Sequence, residues 1–586
     1  MRRGLLLGDT VAAGAHAASL SDVCTAAYVQ AAQPANGTIA GITLDPTSAT
    51  ANAVYNASVS GEDFFPDGTF DYCNVTLAYS HNGRDDQVLL QWWLPTPADF
   101  QNRYLTTGGF AYAINAGKGN ANLGGGVQYG AVAGITDGGF GGFSTTFDEV
   151  FLLANNTINY EPLFMMGYRG IYEQTIIGKA FTQQFFNSSS KPYTYYQSCS
   201  EGGREGWSQV QRFGGVYDGV IAGAPAFRYG QQQVQHLFSN VAEQTLDYYP
   251  PSCELDKILN ATISACDGLD GRSDGVVSRS DLCKLNFNLT SIIGLPYSCA
   301  AETSTSLGLG FGNKKRQSAA TTPAQNGTVS AEGVAVAQTI LNGLKDSQGR
   351  QAYLSYQPGA EFEDAATTYD STTGTWGVDI AGTGGEWVGR FLELQDVDNL
   401  STLNNVTYDT LVEWMTLGWK IYADTLQTND PDLTAFYSGG GKVLHFHGES
   451  DPSVPIGSSV YYYESVRSVM YPNMTFNDST TALGDWYRLF LVPGAAHCGT
   501  NTAQPNGPFP QTNLAVMIDW VENGVVPTTL NATYLQGIYE GENAQICAWP
   551  LRPYWSNNGT VFECQYDQAS IGSWKYDFDA YTLPLY

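Results

Sequence analysis

Residues 199–205 read CSEGGRE, and what flanks them limits the folds open to the chain. Before them, "KPYTYYQS" is rich in Tyr and Thr and predicts a buried strand. After them, "REGWSQVQRF" spaces Trp207, Val210 and Phe213 along one helix face. Strand, sharp glycine-rich turn and helix form the setting of a nucleophile elbow, which holds a serine in a strained conformation at the mouth of a sheet. The pattern is a relative of G-x-S-x-G: Gly202 supplies the later glycine, and Ser198 stands where the earlier one is expected. A glycine-rich turn without chemistry would share these features, and Cys199 competes with Ser200 as nucleophile. The rest of the chain has to decide both points.

Chain order favours the serine. Downstream, "GGKVLHFHGESDPSVP" predicts a strand at 442–447 whose following loop delivers Asp451. Further on, "DWYRLFLVPGAAHCGT" predicts a strand at 486–492 and a loop that delivers His497. Serine, acid, then histidine is the α/β-hydrolase order. Both candidates follow the C-terminal end of a strand, where open α/β sheets place their sites. Only six histidines occur. His16 is near the start, His81 is in a polar turn, His236 follows a Gln-rich stretch, and His445 and His447 alternate on one strand as buried structural residues. His497 remains. Glu449 rivals Asp451, but Pro452 fixes the turn after Asp451, and a short side chain suits a rigid orienting role. The expected triad is Ser200, His497 and Asp451. The oxyanion hole then needs two backbone N–H groups. One is expected from Glu201, the other from "RYLTTGGFAY", with Gly108, Gly109 or Phe110 as donor and Gly109 as the candidate.

The cysteines settle which neighbour reacts. There are ten, and fourteen Asn-x-Ser/Thr sequons are spread along 586 residues. Arg2, Arg3, a short apolar run and "AHA" at 15–17 predict a secretory signal peptide over 1–18. In a secreted chain an even cysteine count reads as disulfides, here five. Cys199 precedes the serine and Cys498 follows the histidine. A bond between them would tether nucleophile to base and close a loop worth about 5–6 kcal/mol in the chain-entropy picture. Cys199 is then a staple and Ser200 the nucleophile. A net charge of -29 repels nucleic-acid phosphates. No apolar run is long enough to cross a membrane.

About 250 residues separate Ser200 from Asp451, far more than one crossover needs, so a lid is expected there. Within it, "CDGLDGRSDGVV" places Asp267, Asp270 and Asp274 among glycines, a pattern able to cage Ca²⁺ in oxygen ligands. Lys314, Lys315 and Arg316 form a basic island in a polar, low-complexity stretch and read as a processing site.

Several stretches together resemble the fungal tannase/feruloyl esterase family: "YYQSCSEGGREGWSQVQR", "EQTLDYYPPSCEL", "DGRSDGVVSRSDLCKLNFNLTSIIG", "VLHFHGESDPSVP", "PGAAHCGTN" and "MIDWVENG". The family usually shows glycine where Ser198 stands. The resemblance implies an α/β-hydrolase core (19–225 and 406–586) with a large inserted lid (226–405). It implies hydrolysis of galloyl esters, with feruloyl esters as the alternative. It also implies structural Ca²⁺ held by Asp267, Asp270 and Asp274 with the carbonyls of Arg272 and Val276, and a disulfide-linked two-chain form cut near Arg316. With spacing, it pairs Cys24–Cys73, Cys253–Cys299, Cys266–Cys283 and Cys547–Cys564. A calcium-dependent carbohydrate-binding glycoprotein would share the acidity, sequons and Asp cluster, but not the triad order.

Overall fold

The computed structural model describes residues 18–117, 121–304 and 320–586. The expected leader, apart from Ala18, and the expected Lys314–Arg316 processing site lie outside the described residues.

A nine-stranded sheet carries the architecture. Its strands are β1 (Ile42–Val59), β2 (Gly68–His81), β3 (Val88–Pro95), β4 (Arg103–Thr107), β5 (Ala131–Thr136), β6 (Tyr193–Cys199), β7 (Gly219–Gly223), β8 (Lys442–Gly448) and β9 (Tyr487–Val492). They lie in the order β1-β2-β3-β5-β4-β6-β7-β8-β9. The β1–β2, β2–β3 and β3–β5 pairs are antiparallel. From β5 onward every pairing is parallel. Parallel strands covered on both faces read as nearly continuous apolar runs, as "GVIAG" and "YRLFLV" do.

Side chains alternate between two cores, as the period of a strand requires. Tyr196, Val220, Ala222, Val443, Leu489 and Leu491 face one side. Tyr195, Ile221, Leu444, Phe446, Phe490 and Val492 face the other. Nine helices matter to the site: α1 (Ala121–Gln128), α2 (Gly170–Phe185), α3 (Glu201–Arg212), α4 (Tyr229–Gln235), α5 (Ser252–Cys266), α6 (Ala331–Asn342), α7 (Tyr408–Tyr422), α8 (Gly457–Met470) and α9 (Asn513–Asn523). Apolar residues of α2, α3 and α8 cover the first face, and those of α1 and α9 cover the second. This is an α/β-hydrolase fold, as expected from the sequence.

Between β7 and β8 the chain leaves the sheet. Leu255 and Ile258 of α5 meet Val334, Ala337 and Ile340 of α6 in a separate small core. Within this connection two helices approach closely. A Cβ added at Gly418 of α7 would sit 3.0 Å from the Gly230 Cα of α4.

Candidate active site

The turn between β6 and α3 places Ser200 at φ 65°, ψ −127°, a conformation that L-residues rarely adopt. Its N–H donates to Gly223 O at 3.0 Å, which pins the turn to the end of β7. Tight packing explains the glycine two residues on. A Cβ at Gly202 would meet Ser198 Oγ at 2.0 Å and Gly109 O at 2.6 Å. Ser198 thus occupies the place of the motif's earlier glycine only because position 202 has no side chain.

Three loops at the C-terminal ends of β6, β8 and β9 bring together Ser200, Asp451 and His497, although 297 positions separate serine from histidine. His497 Nε2 lies 2.8 Å from Ser200 Oγ, and His497 Nδ1 lies 2.7 Å from Asp451 Oδ2. Asp451 Oδ1 accepts the N–H groups of Ser453 and Val454 at 2.8 and 2.9 Å. Burial opposes charge on both partners, but their pairing prevails. The Asp451 carboxyl is held well below the carboxylate range by His497 and the histidine hydrogen bonds. His497 is raised above the ordinary imidazole value by Asp451, with a contribution from Glu363 of the insertion. Burial, then the charges of Asp364, Glu361 and Asp451, push Glu363 itself up to about 7.

Cys199 and Cys498 are disulfide-bonded, with Cα atoms 6.0 Å apart. The other bonds join Cys24–Cys73, Cys253–Cys299, Cys266–Cys283 and Cys547–Cys564. Among the described residues no free thiol remains to act as nucleophile.

Glu449, the rival acid, points away from the histidine. It accepts from Ser280 Oγ at 2.6 Å and from the Arg552 guanidinium. There it joins the β8 loop to the insertion and the C-terminal segment.

One oxyanion expectation needs correction. The Gly109 N–H donates to Glu205 Oε2 at 3.0 Å, and its carbonyl accepts from Gly202 N–H at 3.1 Å. Both groups clamp the elbow from beneath, so Gly109 has no donor to offer an oxyanion. Phe110 N–H is also taken, by Ala113 O at 3.1 Å. The Glu201 N–H, at the start of α3, meets no acceptor among the described residues and stays available. Below it the Glu201 carboxylate is buried against Arg204 at 2.5 Å.

The Asp-rich loop, distant in sequence, lies beside the histidine loop in space. Asn506 Nδ2 donates to Asp274 O at 2.5 Å, and Val277 N–H donates to Gln504 Oε1 at 2.8 Å. Gln504 Nε2 reaches Ser450 Oγ at 2.7 Å, next to Asp451. Within the loop, Asp267 Oδ1 takes the N–H groups of Asp274, Gly275 and Val276. Asp274 Oδ2 faces Arg272 Nε at 3.2 Å. Asp270 Oδ2 is buried without a partner. Burial raises the Asp274 carboxyl to about 6; Arg272 opposes this, and the Asp270 and Asp267 charges add to it. Among the described residues no three His, Cys, Asp or Glu side chains already close on one point. The orphaned oxygen and the crowded carboxyls fit a hard, oxygen-seeking cation such as Ca²⁺.

Two histidines meet partners that their sequence positions do not name. His81, assigned to a polar turn, is buried between Asp86 and Glu173. His447, assigned to structure, lies 3.0 Å from Asp451 Oδ2. Its position two residues after His445 and four before Asp451 was the available signal.

Sheet order, elbow and the Ser200–His497–Asp451 chain define an α/β-hydrolase. A family model described as "Tannase and feruloyl esterase" matches residues 73–570. The chain is 56% identical to a tannase of Aspergillus oryzae, covering 98% of either sequence. It superposes on a solved tannin acyl hydrolase from Aspergillus niger with a TM-score of 0.92 at 59% identity, covering 97% of this chain and 99% of that one. A feruloyl esterase B structure from Aspergillus oryzae shares the fold, with a TM-score of 0.66 at 24% identity over 92% of this chain and all of that one (100%). The chain belongs to the tannase and feruloyl esterase family. It is a carboxylic ester hydrolase, which sets aside the carbohydrate-binding alternative.

Proposed function

We propose that the chain is a secreted serine esterase that hydrolyses the galloyl ester and depside bonds of hydrolysable tannins and releases gallic acid. The observation that carries this reading is the continuous Ser200–His497–Asp451 hydrogen-bond chain on a strained elbow. Similarity to a tannase of Aspergillus oryzae and to a tannin acyl hydrolase of Aspergillus niger supports the galloyl substrate.

The reaction follows from the geometry. His497 Nε2 takes the Ser200 Oγ proton as Oγ attacks the ester carbonyl carbon. Negative charge builds on the carbonyl oxygen, where the Glu201 N–H can donate. The intermediate collapses, the alcohol leaves with the proton from His497 Nε2, and a galloyl group remains on Ser200. Water, deprotonated by His497, then attacks this acyl-enzyme and releases the acid. Asp451 stays ionised and orients the imidazole throughout. Ca²⁺ takes no part in these steps; Asp267, Asp270 and Asp274 with the carbonyls of Arg272 and Val276 would hold it as a brace. The leader expected over 1–18 and the fourteen sequons support secretion. Cleavage near Arg316 would part Ser200 from Asp451 and His497. Of the five disulfides, only Cys199–Cys498 spans that position.

Family membership keeps feruloyl ester hydrolysis as the second reading. Methyl gallate and methyl ferulate, assayed side by side on wild type and Ser200→Ala, separate the two. The proposal expects a higher kcat/KM on methyl gallate and loss of both activities in the variant. Preference for ferulate would replace the galloyl reading, and full turnover by Ser200→Ala would end the serine mechanism.

A further inference from the structure

Strand β8 carries two more histidines on the side that faces α8, and both are 0% exposed. His447 Nε2 lies 3.0 Å from Asp451 Oδ2 and 3.0 Å from Val454 O. Its Nδ1 lies 2.7 Å from Ser459 Oγ on α8. The same hydroxyl lies 2.8 Å from His445 Nε2, and His445 Nδ1 lies 3.0 Å from Tyr487 Oη on β9. A buried polar chain is costly unless every member finds a partner. This one does, and it ends on the acid of the triad.

With both imidazoles neutral, the acceptors at the Asp451 end assign the proton positions along the chain. Val454 O and the Asp451 carboxylate only accept, so His447 Nε2–H donates to them. His447 Nδ1 then accepts from Ser459 O–H. Ser459 Oγ in turn accepts from His445 Nε2–H, and His445 Nδ1 accepts from Tyr487 O–H. Asp451 Oδ2 therefore serves two imidazoles, His497 at 2.7 Å and His447 at 3.0 Å. Oδ1 is fully used by two backbone donors. A carboxylate held this way cannot rotate without losing several bonds.

We propose that His447 is a positioning residue for the hydrolysis: locked in one tautomer by Ser459, His445 and Tyr487, it fixes the Asp451 carboxylate and shares its Oδ2 with His497. Two consequences follow. The His497 ring is held in line with Ser200 Oγ. The negative charge at Oδ2 is also divided between two donors, so Asp451 grips protonated His497 less tightly than an undivided carboxylate would. The other groups facing this pair are Glu363 and Tyr356 of the insertion and Ser200 itself. Trp207 and Phe227 pack their rings against His445.

The inference rests on the proposed triad, and the test keeps the two apart. Methyl gallate hydrolysis is followed against pH for wild type, His447→Leu, His447→Gln, Ser459→Ala and Ser200→Ala, with circular dichroism to confirm folding. The glutamine can place an amide N–H where Nε2–H stood; the leucine cannot. His447→Leu should lose on the order of 10- to 100-fold in kcat with little change in KM. Its acid limb of kcat/KM should move to higher pH, because the undivided carboxylate holds the His497 proton more strongly. His447→Gln should recover most of kcat and return the limb toward its wild-type position. If His447→Leu does not fold, Ser459→Ala decides, with a smaller loss and a limb shift in the same direction expected. An unchanged limb and kcat in folded His447→Leu, or in Ser459→Ala where that variant decides, would overturn the role. Equal impairment of the leucine and glutamine variants would also overturn it, by pointing to packing alone. Continued turnover by Ser200→Ala would instead overturn the triad on which the role rests.

Discussion

In the proposed mechanism Ser200 attacks from a backbone conformation where serine is rarely found, and the bond from its N–H to Gly223 O helps hold it there. The same mechanism sets the pH response of His497. As general base it must be neutral, so kcat/KM rises as pH increases through its pKa. Asp451 raises that pKa above the ordinary imidazole value, and Glu363 adds to the effect. The acid limb should therefore lie above the range of an unperturbed histidine. Glu363→Gln removes the negative charge that Glu363 acquires as pH passes about 7, so protonated His497 is less favoured there and the limb should move to lower pH. A pH–rate profile of that variant checks the sign; a shift to higher pH would mean that Glu363 does not act on His497 through its charge.

Three strand-to-loop junctions, on β6, β8 and β9, place the reacting groups, and the Cys199–Cys498 bond joins the first to the third. A displacement of about 1 Å in such a site can cost on the order of 100-fold in rate. The double variant Cys199→Ala, Cys498→Ala should keep its far-UV circular dichroism while losing most of kcat on methyl gallate. Near wild-type kcat in the folded variant would reduce the bond to a stabilising link. After cleavage near Arg316 the same bond should hold two chains together, so the sample should run as one band without reductant and two with it. Much of this level was legible beforehand. The runs "YTYYQSC", "KVLHFHG" and "YRLFLV" are apolar enough to mark buried parallel strands, and Ser200, Asp451 and His497 each follow one. Pairing and polar partners were not legible. "TTGGF" looked like a donor loop, yet the Gly109 N–H is consumed by the buried carboxylate of Glu205, in the helix that follows Ser200. Nothing local in sequence reports that Glu201, Arg204 and Glu205 are all buried. His447 was expected to be buried and is, but alternation marks a residue as buried without naming what it meets.

At the scale of the whole molecule, the insertion is locked to the catalytic body by ionic and polar contacts. Arg552 reaches Asp281 at 3.0 Å and also bonds Glu449, and Arg279 adds a second cation on Asp281 at 2.8 Å. Burial opposes the charge of Asp281, but the two guanidiniums hold its carboxyl well below the usual range. Gln504 links Val277 of the Asp-rich loop to Gly359 and to Ser450 beside the triad acid. A cation in that loop would brace the histidine loop without touching substrate. Chelation should therefore lower the thermal midpoint more than it lowers the initial rate at moderate temperature. Immediate, complete loss of activity with an unchanged midpoint would contradict a bracing role. The central claim is that Ser200 is the nucleophile and His497 its activator, and covalent trapping tests it most directly. A fluorophosphonate probe should label the wild-type enzyme once, on the peptide containing Ser200, as read by mass spectrometry. His497→Ala should label far more slowly, and Ser200→Ala not at all. Labelling of a different residue, or undiminished labelling of Ser200→Ala, would contradict the account.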